Sequence, residues 1–374
     1  MKIMHMADFH LDSAFSGFSK EMADKKREEL RLCFVKAMKI AKERGVKLVL
    51  IAGDLFDTPF CSATTRKVVF DAINDVGCPV IITPGNHDYY NKNGTYADKN
   101  LPENAFVFTS NEIGRFDFDE LKISVVGYAF TSDKYEDNPL SNGVPMSSEN
   151  INILCAQTEI GVPLSKYAPM SVSSISRFDF VYAALGHVHT ALEPIVAQKT
   201  LIAYSGFAQG RSFDELREGG AYIVDIDTES KSATLERVTL STMNYEIERI
   251  DITSFDNDND VANKIKDVIN DKNYGENTAL RVVLAGAIPS DYSVNANIVR
   301  DLLSNNKLAL LQIKNETVAN FDLADLENDI TVRGEVYRKL LPLLNSEDDK
   351  ERKKGALALK FALAALDKRE FGVD

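Results

Sequence analysis

The sequence predicts an α/β fold in which two sheets lie sandwiched between helices, followed by a small α/β module and C-terminal helices. Three observations carry this expectation. Over roughly the first hundred residues, apolar β-branched runs alternate with amphipathic segments as strand, helix, strand, helix, strand, which implies parallel pairing through helical crossovers. Beyond them the chain turns β-rich, with alternating or apolar stretches at about 104–109, 115–130 and 150–156. Four polar clusters, Asp8-Phe9-His10, Gly53-Asp54, Gly85-Asn86-His87-Asp88 and Gly186-His187-Val188-His189, each close an apolar run that reads as a buried strand. Such strand ends are where sites assemble in α/β folds, because loops converge there on a rigid scaffold.

Taken in order, strand 1 (about 2–7) ends in Asp8 and His10, two residues apart and so on one face of an extended segment. His5 has the opposite parity and reads as a packed or hydrogen-bonded structural histidine. Residues 24–45 form an amphipathic helix with a stop at Gly45. The second strand delivers Asp54, a helix over about 63–76 stops at Gly77, and the third strand delivers the Gly-Asn-His-Asp turn. Residues 89–103 read as a polar surface loop over the site. Further strands at 178–185, 200–204, 221–226 and 233–238 imply hairpin-like connections. A second unit begins near Tyr245, where 247–252, 280–284 and 308–313 read as strands and about 260–271 and 295–304 as helices. Its Asp/Asn-rich run 256–260 reads as a linker and helix cap rather than a calcium loop. From Val332 the chain is helical, and Ser346-x-x-Asp349 has capping-box spacing before an apolar helix that needs cover. The expected domains are therefore 1–240, 245–325 and 332–374.

Composition narrows the function classes. With 44% hydrophobic and 26% charged residues the chain is an ordinary globular protein, and no apolar run approaches the roughly 20 residues of a membrane span. The N-terminus enters a strand directly, without a secretion signal, and Cys33, Cys61, Cys78 and Cys155 lack C-x-x-C spacing. The expectation is a cytoplasmic protein with reduced, mostly buried thiols. A net charge of −13 argues against holding DNA with the whole surface. It does not exclude a nuclease, since two bound divalent ions add about four positive charges. The expected consequence is weak DNA affinity for the chain alone.

The clusters offer carboxylates, an amide and imidazoles but no thiolate, a donor set suited to Mn²⁺, Fe²⁺ or Zn²⁺. A carboxylate can bridge two such ions about 3.5–4 Å apart, and the pair activates water against a phosphate ester. Asp54, on the central strand with ligand motifs either side, is the candidate bridge. Four of the five histidines lie within the clusters. Taken by themselves, His187 and His189 would also suit a structural strand pair.

These residues, together with Gly53-Asp54-Leu55-Phe56-Asp57 and Tyr204-Ser205-Gly206-Phe207-Ala208-Gln209-Gly210-Arg211, resemble the calcineurin-like metallophosphoesterase superfamily. Within it the resemblance is to DNA-repair exonucleases of the Mre11/SbcD type, including the YhaO-like group, and it covers about 1–240. It implies a two-sheet αββα metallophosphoesterase core that hydrolyses DNA phosphodiester bonds, as an exo- or endonuclease, by a two-metal activated water. Asp8, His10, Asp54 and His189 would hold one metal, and Asp54, Asn86 and His187 the second, with Mn the expected ion and Fe, Zn or Mg as alternatives. His87 would contact the scissile phosphate and protonate or stabilise the leaving oxygen, with Asp88 as its orienting partner. By position, 245–325 resembles the capping domain of these nucleases and 332–374 the segment that docks on a coiled-coil SbcC/Rad50-like ATPase. Such nucleases are commonly homodimers.

One departure matters. The family places a further histidine ligand at the strand end where Ile153-Leu154-Cys155-Ala156 is followed here by Gln157. An amide oxygen binds borderline transition ions less well than imidazole, and Glu159 has the parity to substitute. The second metal is therefore expected to be weakly held. Two other readings stay open: a phosphodiesterase or phosphatase acting on a small phosphorylated substrate, and a low-activity scaffold.

Overall fold

The apolar runs become strands where expected. A computed structural model describes residues 1–289, 292–320 and 323–366; positions 290–291, 321–322 and 367–374 of the expected second and third domains lie outside the described residues. The chain divides into two units, Met1–Glu246 and Ile247–Asp374. In the first, β1 (Lys2–Met6), α1 (Lys20–Glu43), β2 (Leu48–Ile51), α2 (Ala63–Val76), β3 (Val80–Ile82) and β4 (Ala105–Val107) alternate as predicted, and β1 to β4 pair in parallel. Ser19 and Ser62 cap α1 and α2 by accepting from backbone N–H groups of the first turn. Gly77 ends α2 at φ +77°, a left-handed turn that glycine makes without strain.

The second sheet holds β5 (Gly114–Phe118), β6 (Ile123–Gly127), β7 (Ile151–Gln157), β8 (Phe180–Gly186), β9 (Ile195–Ala197) and β10 (Thr200–Tyr204), with α3 (Val172–Ser176) preceding β8. Here the expected hairpin-like connections need correction. The pairs β6–β7, β7–β8 and β8–β10 are parallel, because the segments between these strands serve as crossovers, and only β5–β6 and β9–β10 are antiparallel. A hairpin of β11 (Gly220–Asp227) and β12 (Ser232–Thr239) then returns to the first sheet and pairs beside β1. Three buried clusters make the layers. Phe34 and Met38 of α1 and Val69 and Ile73 of α2 pack on one face of the first sheet. Ile3, Leu48 and Leu50 meet Val125, Ile153 and Tyr182 between the sheets. Leu154, Phe180 and Ile175 cover the far face of the second.

The sheets close tightly at the strand ends that carry the polar clusters. A Cβ on Gly186 would lie 1.9 Å from the Ala52 carbonyl oxygen, so only glycine fits where the ends of β8 and β2 meet. His5 is fully buried in this interface, as the sequence parity implies, with Nδ1 on the Tyr182 hydroxyl at 2.7 Å and Nε2 on the Leu185 carbonyl at 3.1 Å. Burial, against the raising effect of the Leu185 bond, lowers its pKa from 6.5 to about 3. The folded state therefore binds fewer protons than the unfolded chain between these values, and stability falls as pH drops through that window by about 1.4 kcal/mol per unit. In denaturant titrations across pH 6.5 to 4, His5→Gln is expected to show a slope shallower by about one proton; parallel slopes for variant and parent would refute this.

The second unit begins within β13 (Asn244–Asp251) and continues with α4 (Asp258–Asp271), β14 (Thr278–Ala285), β15 (Ala287–Pro289), α5 (Ala296–Leu302), β16 (Leu310–Asn315), β17 (Val318–Asn320), α6 (Leu323–Asn328), α7 (Val332–Leu344) and α8 (Asp349–Leu366). A β13-β14-β16 sheet packs Leu280 and Val282 against Val261, Ile265 and Val299 of α4 and α5. Asn257 caps α4, so the acidic run 256–260 is a helix start. The Ser346 capping box is corrected by two residues: α8 begins at Asp349, and the Asp348 carboxylate accepts from Lys350 N at 2.8 Å. On α8, Leu359 and Leu363 are buried with Tyr337, whereas Leu357 and Phe361 remain exposed. No helix among the described residues is long and apolar enough to cross a membrane.

Candidate metal centre

Asp8 and His10 follow β1, Asp54 follows β2, Asn86 follows β3, Gln157 ends β7, and His187 and His189 follow β8. Parity in an extended chain does not place them. Asp8, His10, Asp54 and His187 sit at φ +52°, +46°, +47° and +97°, the left-handed region that non-glycine residues enter at a cost. Surrounding bonds hold these turns: Asp8 N donates to the Gly53 carbonyl at 3.1 Å and His10 N to the Asp54 carbonyl at 3.0 Å. Strain gathered at one sheet edge marks a site.

Ligand atoms of Asp8, His10 and His189 all lie within 4.8 Å of one another. His10 Nε2 stands 3.1 Å from His189 Nε2 and 3.8 Å from Asp54 Oδ2, and His189 Nε2 stands 3.9 Å from Asp8 Oδ1. The other ring nitrogens explain what this means. His10 Nδ1 meets Asp57 Oδ1 at 3.2 Å, and His189 Nδ1 meets Glu215 Oε1 at 2.8 Å. A carboxylate only accepts, so each Nδ1 donates, and in its neutral form each ring turns an Nε2 lone pair toward the other and toward two buried carboxylates. Four converging electron pairs fit a divalent cation. Burial raises Asp8 to about 6 and, aided by the Asp8 charge, Asp54 to about 7; it lowers His10 to about 3.

Asp57, Glu215 and Arg211 are the parts to which sequence reasoning gave no role. Arg211 donates from Nε to Glu215 at 3.0 Å and from Nη1 to Ser13 Oγ at 3.3 Å, with Asp57 Oδ1 3.5 Å away. Burial opposes ionisation of Glu215, but hydrogen bonds from His189 and Arg211 prevail and hold its pKa at about 2. The one available signal was an Arg/Glu pair four apart in a segment without helical periodicity. Glu215→Gln, which keeps an oxygen near His189 but removes the charge, is expected to weaken Mn²⁺ binding about 10–100-fold. Isothermal titration would detect it, and an unchanged affinity would remove Glu215 from the site.

His87, with its side chain 46% exposed, lies T-shaped to His10, ring centroids 4.7 Å apart, and its Nδ1 is 3.9 Å from Asp57 Oδ1. Asp88, expected as its orienting partner, is instead fully buried and accepts from Phe56 N at 3.0 Å, Gly85 N at 2.7 Å and the Tyr96 hydroxyl. It fastens the Gly-Asn-His-Asp turn, and the carboxylate facing His87 is Asp57. Tyr96 and Thr95 are buried too, so 89–103 is anchored rather than a plain surface loop. His187 donates its backbone N–H to Asp8 at 3.1 Å and packs its ring on Tyr167. Gln157 Nε2 donates to Asp54 Oδ2 at 2.8 Å and to Asn86 Oδ1 at 2.6 Å. Glu159, the expected substitute, accepts from Ser165 Oγ at 2.5 Å.

The family model for calcineurin-like phosphoesterases matches residues 1–190. The chain is 26% identical over 304 residues to the uncharacterized metallophosphoesterase YhaO of Bacillus subtilis, an alignment spanning 77% of this chain and 72% of that protein. It is 24% identical over 257 residues to a subunit of the nuclease SbcCD from Staphylococcus epidermidis, spanning 61% of this chain and 66% of that one. A dimetal phosphatase from Danio rerio aligns in structure at 10% identity with a TM-score of 0.43, covering 64% of this chain and 96% of that protein.

Proposed function

We propose that this chain, which belongs to the calcineurin-like phosphoesterase family, cleaves the phosphodiester bonds of DNA. At the coarser level it is a metal-dependent phosphoesterase. The observation that carries the chemistry is the convergence of the His10 and His189 Nε2 lone pairs with Asp8 and Asp54. A divalent ion held by these four residues would supply Lewis acidity at a phosphoryl oxygen and would lower the pKa of a water bound to it. Asp57 and Glu215 accept from Nδ1 of His10 and His189, which would leave each Nε2 to hold the ion. His87, exposed beside His10, contacts the phosphate and delivers a proton to the leaving oxygen.

DNA as substrate is supported by the similarity to a nuclease subunit. A second unit with its own core, beyond what a small phosphorylated molecule requires, favours the same reading. The exposed Leu357 and Phe361 on α8 favour a partner helix from a coiled-coil ATPase over 332–374, and a net charge of −13 favours DNA binding that depends on that partner.

An assay with Mn²⁺ on linear DNA beside bis-p-nitrophenyl phosphate tests the proposal. Cleavage of both is expected. Turnover of the small ester alone would overturn the DNA assignment, and no turnover by a folded, Mn²⁺-loaded sample would point to a scaffold.

A further inference from the structure

One amide holds the other half of the site together. Gln157 ends β7 with no exposed surface, and its main-chain carbonyl accepts from the buried Tyr128 hydroxyl. Its Nε2 lies between Asp54 Oδ2 and Asn86 Oδ1, at 2.8 and 2.6 Å, donating a proton to each. Its Oε1 is buried without any hydrogen-bond partner. That oxygen is lodged against backbone carbon: a Cβ on Gly53 would fall 1.7 Å from it, and one on Gly85 1.9 Å. An orphaned acceptor in such a place costs free energy, so something must hold the amide this way round.

Asp54 does. An ionised carboxylate only accepts, whereas either end of the Asn86 amide can face a neighbour. Turning Gln157 over would satisfy Asn86 but set two oxygens 2.8 Å apart against Asp54, a repulsive contact unless a cation or proton intervenes. The NH₂ group thus gives Asp54 and Asn86 what an ion would give them, partial positive charge between two oxygens. A histidine at this position would present a lone pair instead. The residues around Gln157 therefore do not fit a second ion as they stand, while those around His10 and His189 do fit a first.

We propose that the Gln157 amide nitrogen takes the place of the second cation in the resting site, so that the chain holds one divalent ion tightly. A second ion enters only when the amide gives up both hydrogen bonds and makes a half-turn that brings the orphaned Oε1 inward. Losing two such bonds weakens the second binding step about a hundredfold relative to the first. This inference rests on the metal-dependent phosphoesterase reading and not on DNA as the substrate.

The test is Mn²⁺ stoichiometry of the full chain by equilibrium dialysis, with electron paramagnetic resonance of the same samples. The parent is expected to bind one Mn²⁺ per chain at low micromolar concentration with an uncoupled six-line spectrum. Gln157→His is expected to bind two, with the multiline spectrum of an exchange-coupled pair. Two equally tight, coupled ions in the parent would overturn the proposal, as would one ion in a folded Gln157→His. Gln157→Glu, which replaces the donor by a carboxylate, is expected to behave like the histidine variant; should neither variant fold by circular dichroism, the parent stoichiometry alone decides. No Mn²⁺ bound to the folded parent would refute the metal-dependent reading itself.

Discussion

Replacing His87 with alanine is expected to lower phosphodiester hydrolysis by about 10²–10⁴-fold, the range for losing a general acid, while cation stoichiometry stays unchanged. The two effects separate because side chain and backbone do different things at this position. The ring is 46% exposed and no closer than 3.9 Å to Asp57, so little folding energy depends on it. The backbone N–H, which alanine retains, donates to Asp54 Oδ1 at 2.9 Å and keeps the turn in place. Asp88 anchors the same turn through Gly85, Phe56 and Tyr96, all independent of the His87 side chain. Steady-state rates on bis-p-nitrophenyl phosphate, paired with Mn²⁺ titration, provide the check. A rate within a few-fold of the parent would remove His87 from the chemistry, and a lost ion would make it a ligand instead.

Asp54→Asn is expected to abolish detectable turnover and to weaken Mn²⁺ binding by more than about 100-fold, the upper end for losing only a supporting bond to a ligand. Asp54 reaches both halves of the site, facing His10 Nε2 at 3.8 Å and accepting hydrogen bonds from the His87 backbone and the Gln157 amide. The cation-free fold is expected to survive. Burial already disfavours the Asp54 charge, raising its pKa to about 7, so a neutral amide of the same shape removes a desolvated charge rather than a stabilising one. Far-ultraviolet circular dichroism and thermal unfolding without metal would show this, and collapse of the metal-free variant would make Asp54 primarily structural.

Local pattern reached the polar donors that gather at the site but not the side chains behind them. Asp8, His10, Asp54, Asn86, His187 and His189 stand out because polar donors close apolar runs, and periodicity is a local property. The same locality made α2, with its Gly77 stop, legible at both ends. Parity failed for Asp8 and His10 because it assumes an extended chain, whereas both occupy left-handed turns held by Gly53 and Asp54. The pairing of His189 with Glu215, and of Asp88 with Tyr96 rather than His87, has no local signature. The parallel pairs inside the second sheet and the return of β11 and β12 beside β1 were equally hidden, since β-branched runs declare strands but not their neighbours.

The amino-acid sequence by itself determined which donors this chain owns, in what order the strands deliver them, and that an amide stands at position 157, where the family resemblance leads one to expect an imidazole. Tertiary structure alone decided which atoms meet and which way each one faces. His10 and His189 come within 3.1 Å across 179 positions only because two sheets close on Gly186, where a single added carbon would strike the Ala52 carbonyl. Whether Gln157 offers its nitrogen or its oxygen depends on the buried carboxylate opposite, and hydrogen-bond direction is a property of the pair that no single residue carries.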